Sequence, residues 1–159
     1  YNCKKPTLAM VDGYALAGGC GIASACDLIV ASDKAQFGYT EVRIGFIPAI
    51  VMIFLLKRVS ETHAKDLLLT SRFITAPEAL KMGFVNYVVE QAMLESYTNQ
   101  LCDSLNQLPS SSVMLTKEMF KNISSMGFEA ALEYAVDINT LTRMSEDCKN
   151  GIKKFLTKK

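Results

Sequence analysis

Leu8-Ala9-Met10-Val11-Asp12-Gly13-Tyr14-Ala15-Leu16-Ala17-Gly18-Gly19-Cys20-Gly21 leads an extended apolar segment into a turn of small residues. Leu8, Met10 and Val11 precede Asp12-Gly13, so residues 4–14 read as extended backbone. Residues 17–21 read as a turn, and the Ala-rich residues 22–26 as a short helix entered from it. Outward from this stretch, Asp27-Leu28-Ile29-Val30-Ala31-Ser32 has the continuous apolar pattern of a buried strand. Residues 36–45 read as strand or loop. Helical spacing then predicts helices over 48–59, 62–70 and 76–82, with Pro77 placed for N1 and Gly83 for C′. Residues 84–89 read as a last strand.

Past residue 91 the pattern becomes wholly helical, over 93–108, 111–125 and 127–156. In the last of these Phe128, Ala131, Leu132, Ala135, Ile138, Leu141 and Thr142 recur at helical spacing. The expected organisation is an α/β part over 1–90 and a helical part over 91–159. The apolar stripe of the helical part suits core packing or a subunit interface. No internal sequence repeat and no flexible linker is visible.

The glycine turn admits three readings. Gly19-Cys20-Gly21-Ile22-Ala23-Ser24 nearly fits the dinucleotide pattern G-x-G-x-x-G, with Asp33 or Glu41 near the expected acidic position. Only residues 22–26 separate Gly21 from Asp27, however, and a crossover helix between parallel strands needs about a dozen residues. Two readings stay open: an oxyanion hole built from N–H groups at a helix start, and a tight turn with no further role. A G-x-S-x-G nucleophile elbow is absent, which argues against a serine hydrolase.

Composition narrows the class. The chain has 159 residues, half of them hydrophobic, enough to bury a core and too apolar for disorder. With 17 basic and 16 acidic residues, no net field draws it to nucleic acid or to a membrane surface. The longest apolar run, residues 44–56, is shorter than the roughly 20 residues that span a bilayer. The five cysteines, Cys3, Cys20, Cys26, Cys102 and Cys148, form no CxxC pair and read as reduced cytosolic thiols packed as small hydrophobes. His63, the one histidine, has no neighbouring ligand cluster, so no metal site is expected. The sequence starts at Tyr1 and enters an extended run at once, as a piece of a longer protein would.

Lys5-Pro6-Thr7 continuing through Cys20, then Ala25-Cys26-Asp27, Ala35-Gln36-Phe37-Gly38-x-x-Glu41 and Gly45-x-x-Pro48, together resemble the enoyl-CoA hydratase/isomerase (crotonase) family. A further echo is Leu69-Thr70-Ser71-Arg72-Phe73-Ile74-x-Ala76-x-Glu78-Ala79-x-x-x-Gly83-Phe84-Val85. The resemblance implies an α/β crotonase (ClpP-like) ββα superhelical spiral, its second half only, followed by a C-terminal helical oligomerisation region. It also implies a cytoplasmic homotrimer or hexamer acting on acyl-CoA thioesters. No cofactor is implied, CoA being part of the substrate, and no nucleic-acid or membrane partner.

By the same resemblance, the Gly18 N–H is one of two donors that hold the thioester oxygen, the other lying in an upstream loop that this sequence lacks. Family hydratases usually carry two glutamates. Glu41 matches the second, while Gly21 stands at the first. Ala17, Gly19, Gly21 and Pro48 match substrate-binding positions, and Lys158 a position that reaches the CoA phosphates of a neighbouring subunit. Asn139 stands where the family often has an aromatic. A lone glutamate can shift a double bond, which favours an isomerase. The segments 17–21 and 40–50 resemble instead a bacterial branch labelled enoyl-CoA or methylglutaconyl-CoA hydratase, which also has glycine at this position. The expected activity is therefore hydration of a 2-enoyl-CoA, with an isomerase and a non-catalytic acyl-CoA binder as alternatives. Without the resemblance, Glu41 reads equally as a surface carboxylate paired with Arg43 or a lysine.

Overall fold

The computed structural model describes residues 1–157. These form two compact units: Thr7–Cys102 with Tyr1–Cys3, and the residues from Asp103 on with Lys4–Pro6.

In the first unit the expected extended segment is two strands, β1 (Leu8–Val11) and β2 (Tyr14–Leu16). Gly13, at φ +76°, turns the chain between them, a conformation that costs glycine little and other residues more. The turn sends the two strands into different sheets. β3 (Leu28–Ser32) and β4 (Gln36–Gly38) repeat the manoeuvre. One sheet has the order β1-β3-β6, with β6 at Tyr87–Val89, and is parallel throughout. In the other, β2 pairs parallel with β4, Tyr14 opposite Gln36, and β4 pairs antiparallel with the two-residue β5 (Ile74–Thr75). The coil therefore repeats in space although its sequence does not.

Asp12 fastens this corner. It accepts from Ser32 Oγ at 2.8 Å and from Gln91 Nε2 at 3.0 Å, and these hydrogen bonds hold its carboxyl below the usual value. Ile29, Val30 and Ala31 are fully buried, and the Phe37 and Phe84 rings meet edge to face at 5.3 Å between centroids. Each buried Ile, Val or Phe side chain contributes about 1.5–3 kcal/mol relative to exposure.

The helices follow their caps. α1 (Gly18–Ala25) starts inside the glycine turn, so Gly18, Gly19 and Gly21 are helical residues and not a loop before one. α2 is Ala49–Leu55. The Ser60 hydroxyl caps α3 (Glu61–Thr70), accepting from the His63 N–H. Thr75 and Glu78 cap each other at the start of α4 (Ala76–Lys81), which puts Pro77 one position later than N1. Gly83, at φ +79°, ends that turn as expected. Arg58 gathers carbonyls at the end of α1 and ahead of β6: its Nε donates to Ser24 O at 2.9 Å, and its other nitrogens reach Cys26 O and Phe84 O.

After β6 every element is helical: α5 (Leu94–Asn106), α6 (Ser110–Ile123), α7 (Phe128–Arg143) and α8 (Glu146–Thr157). The expected single helix over 127–156 is thus broken after Arg143, where the Ser145 hydroxyl accepts from the Cys148 N–H at 3.2 Å and starts a new helix. Within the second unit, the Asn122 amide donates to the Tyr134 hydroxyl at 2.8 Å, and Ser112, Leu115, Ile138 and Asn139 help line a cleft of about 320 Å³. Among the described residues no helix is long and apolar enough to cross a membrane.

Candidate functional site

The site is assembled around the start of α1. Ala17, its N-cap, has φ +48° and ψ −117°, a conformation that costs a non-glycine residue about 1–3 kcal/mol. The surroundings enforce it: the Ala17 N–H donates to the Gly38 carbonyl at 2.8 Å, and the Ala17 carbonyl accepts from the Gly21 N–H at 3.0 Å. First-turn N–H groups have no intrahelical acceptor, and Gly18 and Gly19 are both exposed. A partial positive charge therefore faces outward at this point. A Cβ on either glycine would meet nothing within 4 Å, so here they keep the approach to the backbone open.

Gly21 is different. It is buried, and a Cβ there would lie 2.4 Å from Cγ1 and 3.3 Å from Cβ of Val51 on α2. Val51 fills the volume that a side chain at 21 would need, so the lack of a glutamate at this position is built into the packing of α1 on α2.

The Ala17–Gly38 hydrogen bond ties α1 to the strand that leads to Glu41. After β4 the chain makes a 3₁₀ turn over Glu41–Ile44, closed by Gly45 at φ +75°, whose N–H turns back to the carbonyls of Glu41 and Val42. Glu41 is half-buried. Its Oε2 is fully buried and has no hydrogen-bond partner among the described residues. The reading that pairs Glu41 with Arg43 does not hold, since the Arg43 Nε donates to Ser71 Oγ at 3.0 Å and its Nη2 to the Ser71 carbonyl. A buried carboxylate oxygen without a partner is costly to keep. Pro48, buried, caps α2, and the exposed Ile44, Phe46, Ile47 and Ile50 make the stretch around it strongly apolar.

Cys20 marks the proximity of these parts. Burial pushes its thiol up to about 12; hydrogen bonds from Gly38 and Tyr39 oppose this, and the Glu41 charge adds to it. Cys20 is thus a fully buried, packed thiol. Burial also pushes the Tyr39 phenol up, with the Cys20 charge next in effect. The linkage has a definite sign. An unfolded thiol loses its proton near its ordinary 9.0, while the native Cys20 keeps its proton to about 12. Stability present below pH 9 must therefore fall as pH rises toward 12, by up to about 1.4 kcal/mol per pH unit from this group. Urea midpoints taken across this range should drop, and Cys20→Ala should flatten the drop. An unchanged slope in that variant would remove Cys20 as a cause.

Gly18 and Gly19 lie on the helix that also holds Cys20, which feels the Glu41 charge. Sequence reasoning missed Val51, which carries no motif, and the bonding of Arg43 to Ser71 in place of Glu41. The candidate Lys158 lies outside the described residues. No group of three or more metal-binding side chains occurs among the described residues, and all five cysteines are free.

Residues 1–159 match the family model described as enoyl-CoA hydratase/isomerase. The chain is 40% identical over 159 residues to a putative enoyl-CoA hydratase of Thermus thermophilus, covering all of this chain and 63% of that protein. It is 33% identical over 157 residues to the short-chain-enoyl-CoA hydratase of Clostridium acetobutylicum, covering 98% of this chain and 60% of the relative. The crystal structure of human enoyl coenzyme A hydratase domain-containing protein 3 superposes with a TM-score of 0.94 at 30% identity, over 99% of this chain and 62% of that one. The chain thus spans about 60% of the length of the proteins it matches. By sequence and by its crotonase fold, it belongs to the enoyl-CoA hydratase/isomerase family.

Proposed function

We propose that the protein adds water to a 2-enoyl-CoA thioester with Glu41 as its single acid/base. The observation that carries this reading is the buried, unpartnered Glu41 Oε2, tied through Gly38 to the N-terminal turn of α1. The Gly18 N–H, at the positive end of that helix, polarises the thioester carbonyl. Glu41 takes a proton from water as the water oxygen bonds to C3. Electron density moves to the thioester oxygen, and the same carboxyl then returns the proton to C2. Donors aimed at the developing oxyanion are worth several kcal/mol, and the proton transfer about 10²–10⁴-fold. Ala17 and Gly19 shape the backbone that the thioester approaches, Gly21 lets Val51 close the wall, and Pro48 shapes the acyl side.

The chain is the second half of the spiral in this reading, and residues outside it supply the other oxyanion donor. Its span of 63% of the Thermus relative supports this. The exposed Phe128, Leu132, Leu141 and Phe155 support assembly of the helical region into a homotrimer or hexamer. The preferred acyl group is a short or branched one such as 3-methylglutaconyl, whose own carboxylate would help to hold water where Gly21 offers no side chain.

Val51 in the place of a second carboxylate favours one other reading, an isomerase that moves a proton between two carbons. Product masses separate the two. Crotonyl-CoA and 3-methylglutaconyl-CoA incubated with the full-length protein should each gain one water. A product of unchanged mass with a shifted double bond would make the protein an isomerase.

A further inference from the structure

Glu41 sits in a short turn that buries none of its residues, so burial alone does not hold it. The residue two before it and the residue two after it both end on Ser71. The Tyr39 carbonyl accepts from Ser71 Oγ at 2.8 Å, and Arg43 places Nε on the same Oγ at 3.0 Å and Nη2 on the Ser71 carbonyl. Ser71 is fixed in turn. It is buried, stands at φ +54°, and ends α3 through its N–H to the Leu67 carbonyl. A second grip comes from Phe73, whose ring carries the Arg43 guanidinium at 5.1 Å from its centroid. The same ring packs so closely on Gly38 that a Cβ there would come within 2.5 Å of it.

We propose that Arg43 is the positioning residue for Glu41, using the planar fork of its guanidinium to clamp the turn over Glu41–Ile44 onto Ser71 and Phe73. This rests on the reading of Glu41 as the acid/base. Arg43 touches no reacting atom; its part is to keep the carboxylate aimed at one place, and displacement of a reacting group by about 1 Å can cost up to about 10²-fold in rate. A lysine has a point charge and no fork, so it cannot bond Oγ and the carbonyl together while lying on the ring.

The test uses the full-length protein and crotonyl-CoA, with wild type, Arg43→Ala, Arg43→Lys and Ser71→Ala compared for kcat, KM and melting temperature. Arg43→Ala should lose about 10–100-fold in kcat with KM held within about twofold. Its melting temperature should stay within a few degrees, added methylguanidinium should restore part of the rate, and lysine should not. Ser71→Ala should fall in the same direction by less, which keeps the idea testable if Arg43→Ala folds poorly. A folded Arg43→Ala with more than half the wild-type kcat would overturn the proposal. So would full rescue by lysine, or a rate loss that only tracks unfolding. Wild type without turnover would instead overturn the acid/base reading on which the clamp depends.

Discussion

Glu41→Gln in the full-length protein is expected to lower kcat for crotonyl-CoA hydration by about 10³-fold, within the range that general acid–base catalysis supplies. Glutamine keeps the shape of the side chain and its capacity for hydrogen bonds. It cannot take a proton from water and return it to C2. KM should change by less than about threefold, because the substrate's binding energy comes from elsewhere. The effect should also be cleanly separable from folding. Glu41 Oε2 is buried without a partner among the described residues, so the native carboxylate is a cost to stability, and the neutral amide should leave the melting temperature unchanged or slightly raised. A rate loss smaller than about tenfold would take the acid/base role away from Glu41.

The second large effect is on stability. Gly21→Glu restores the residue type that the family resemblance assigns to this position, yet it should not add a second catalytic carboxylate. Its Cβ alone would fall 2.4 Å from Val51 Cγ1, on a stiff β-branched side chain whose own backbone is only 3.9 Å away. Overpacking costs about 1–3 kcal/mol and the buried carboxylate adds to it, so a loss of about 3 kcal/mol is expected. Adding Val51→Ala removes the colliding Cγ1 and should recover at least part of the loss. Urea unfolding of the single and double variants checks this. A Gly21→Glu protein as stable as wild type would mean that α2 yields freely and that Gly21 is not held by packing.

The same contrast explains how far the residues could be read in advance. Asp12-Gly13, the helical spacing after residue 91, and Gly83 are local signals, and each reports the element in which it sits. The Glu41 segment was legible only through its resemblance to a family, since a lone carboxylate next to an arginine is equally an ordinary surface pair. What stayed hidden is contact at a distance. Nothing near Asp12-Gly13 says that β1 and β2 enter different sheets, because that depends on pairing with β3 and β4 some 20 residues on. Val51 lies 30 positions from the glycine whose space it fills, and Ser71 lies 28 positions from the arginine it anchors. The break after Arg143 escaped for another reason. Apolar spacing runs on through α7 and α8, and a single serine hydroxyl ends one helix and starts the next.

The most direct test of a one-carboxylate hydratase is the enoyl absorbance of crotonyl-CoA after mixing with the full-length wild-type protein. Binding of the thioester should be measured on the same sample. The thioester should bind, and its enoyl absorbance should decay as 3-hydroxyacyl-CoA appears. Absorbance that stays constant while the thioester is bound would rule out hydration and leave an isomerase or a non-catalytic acyl-CoA binder.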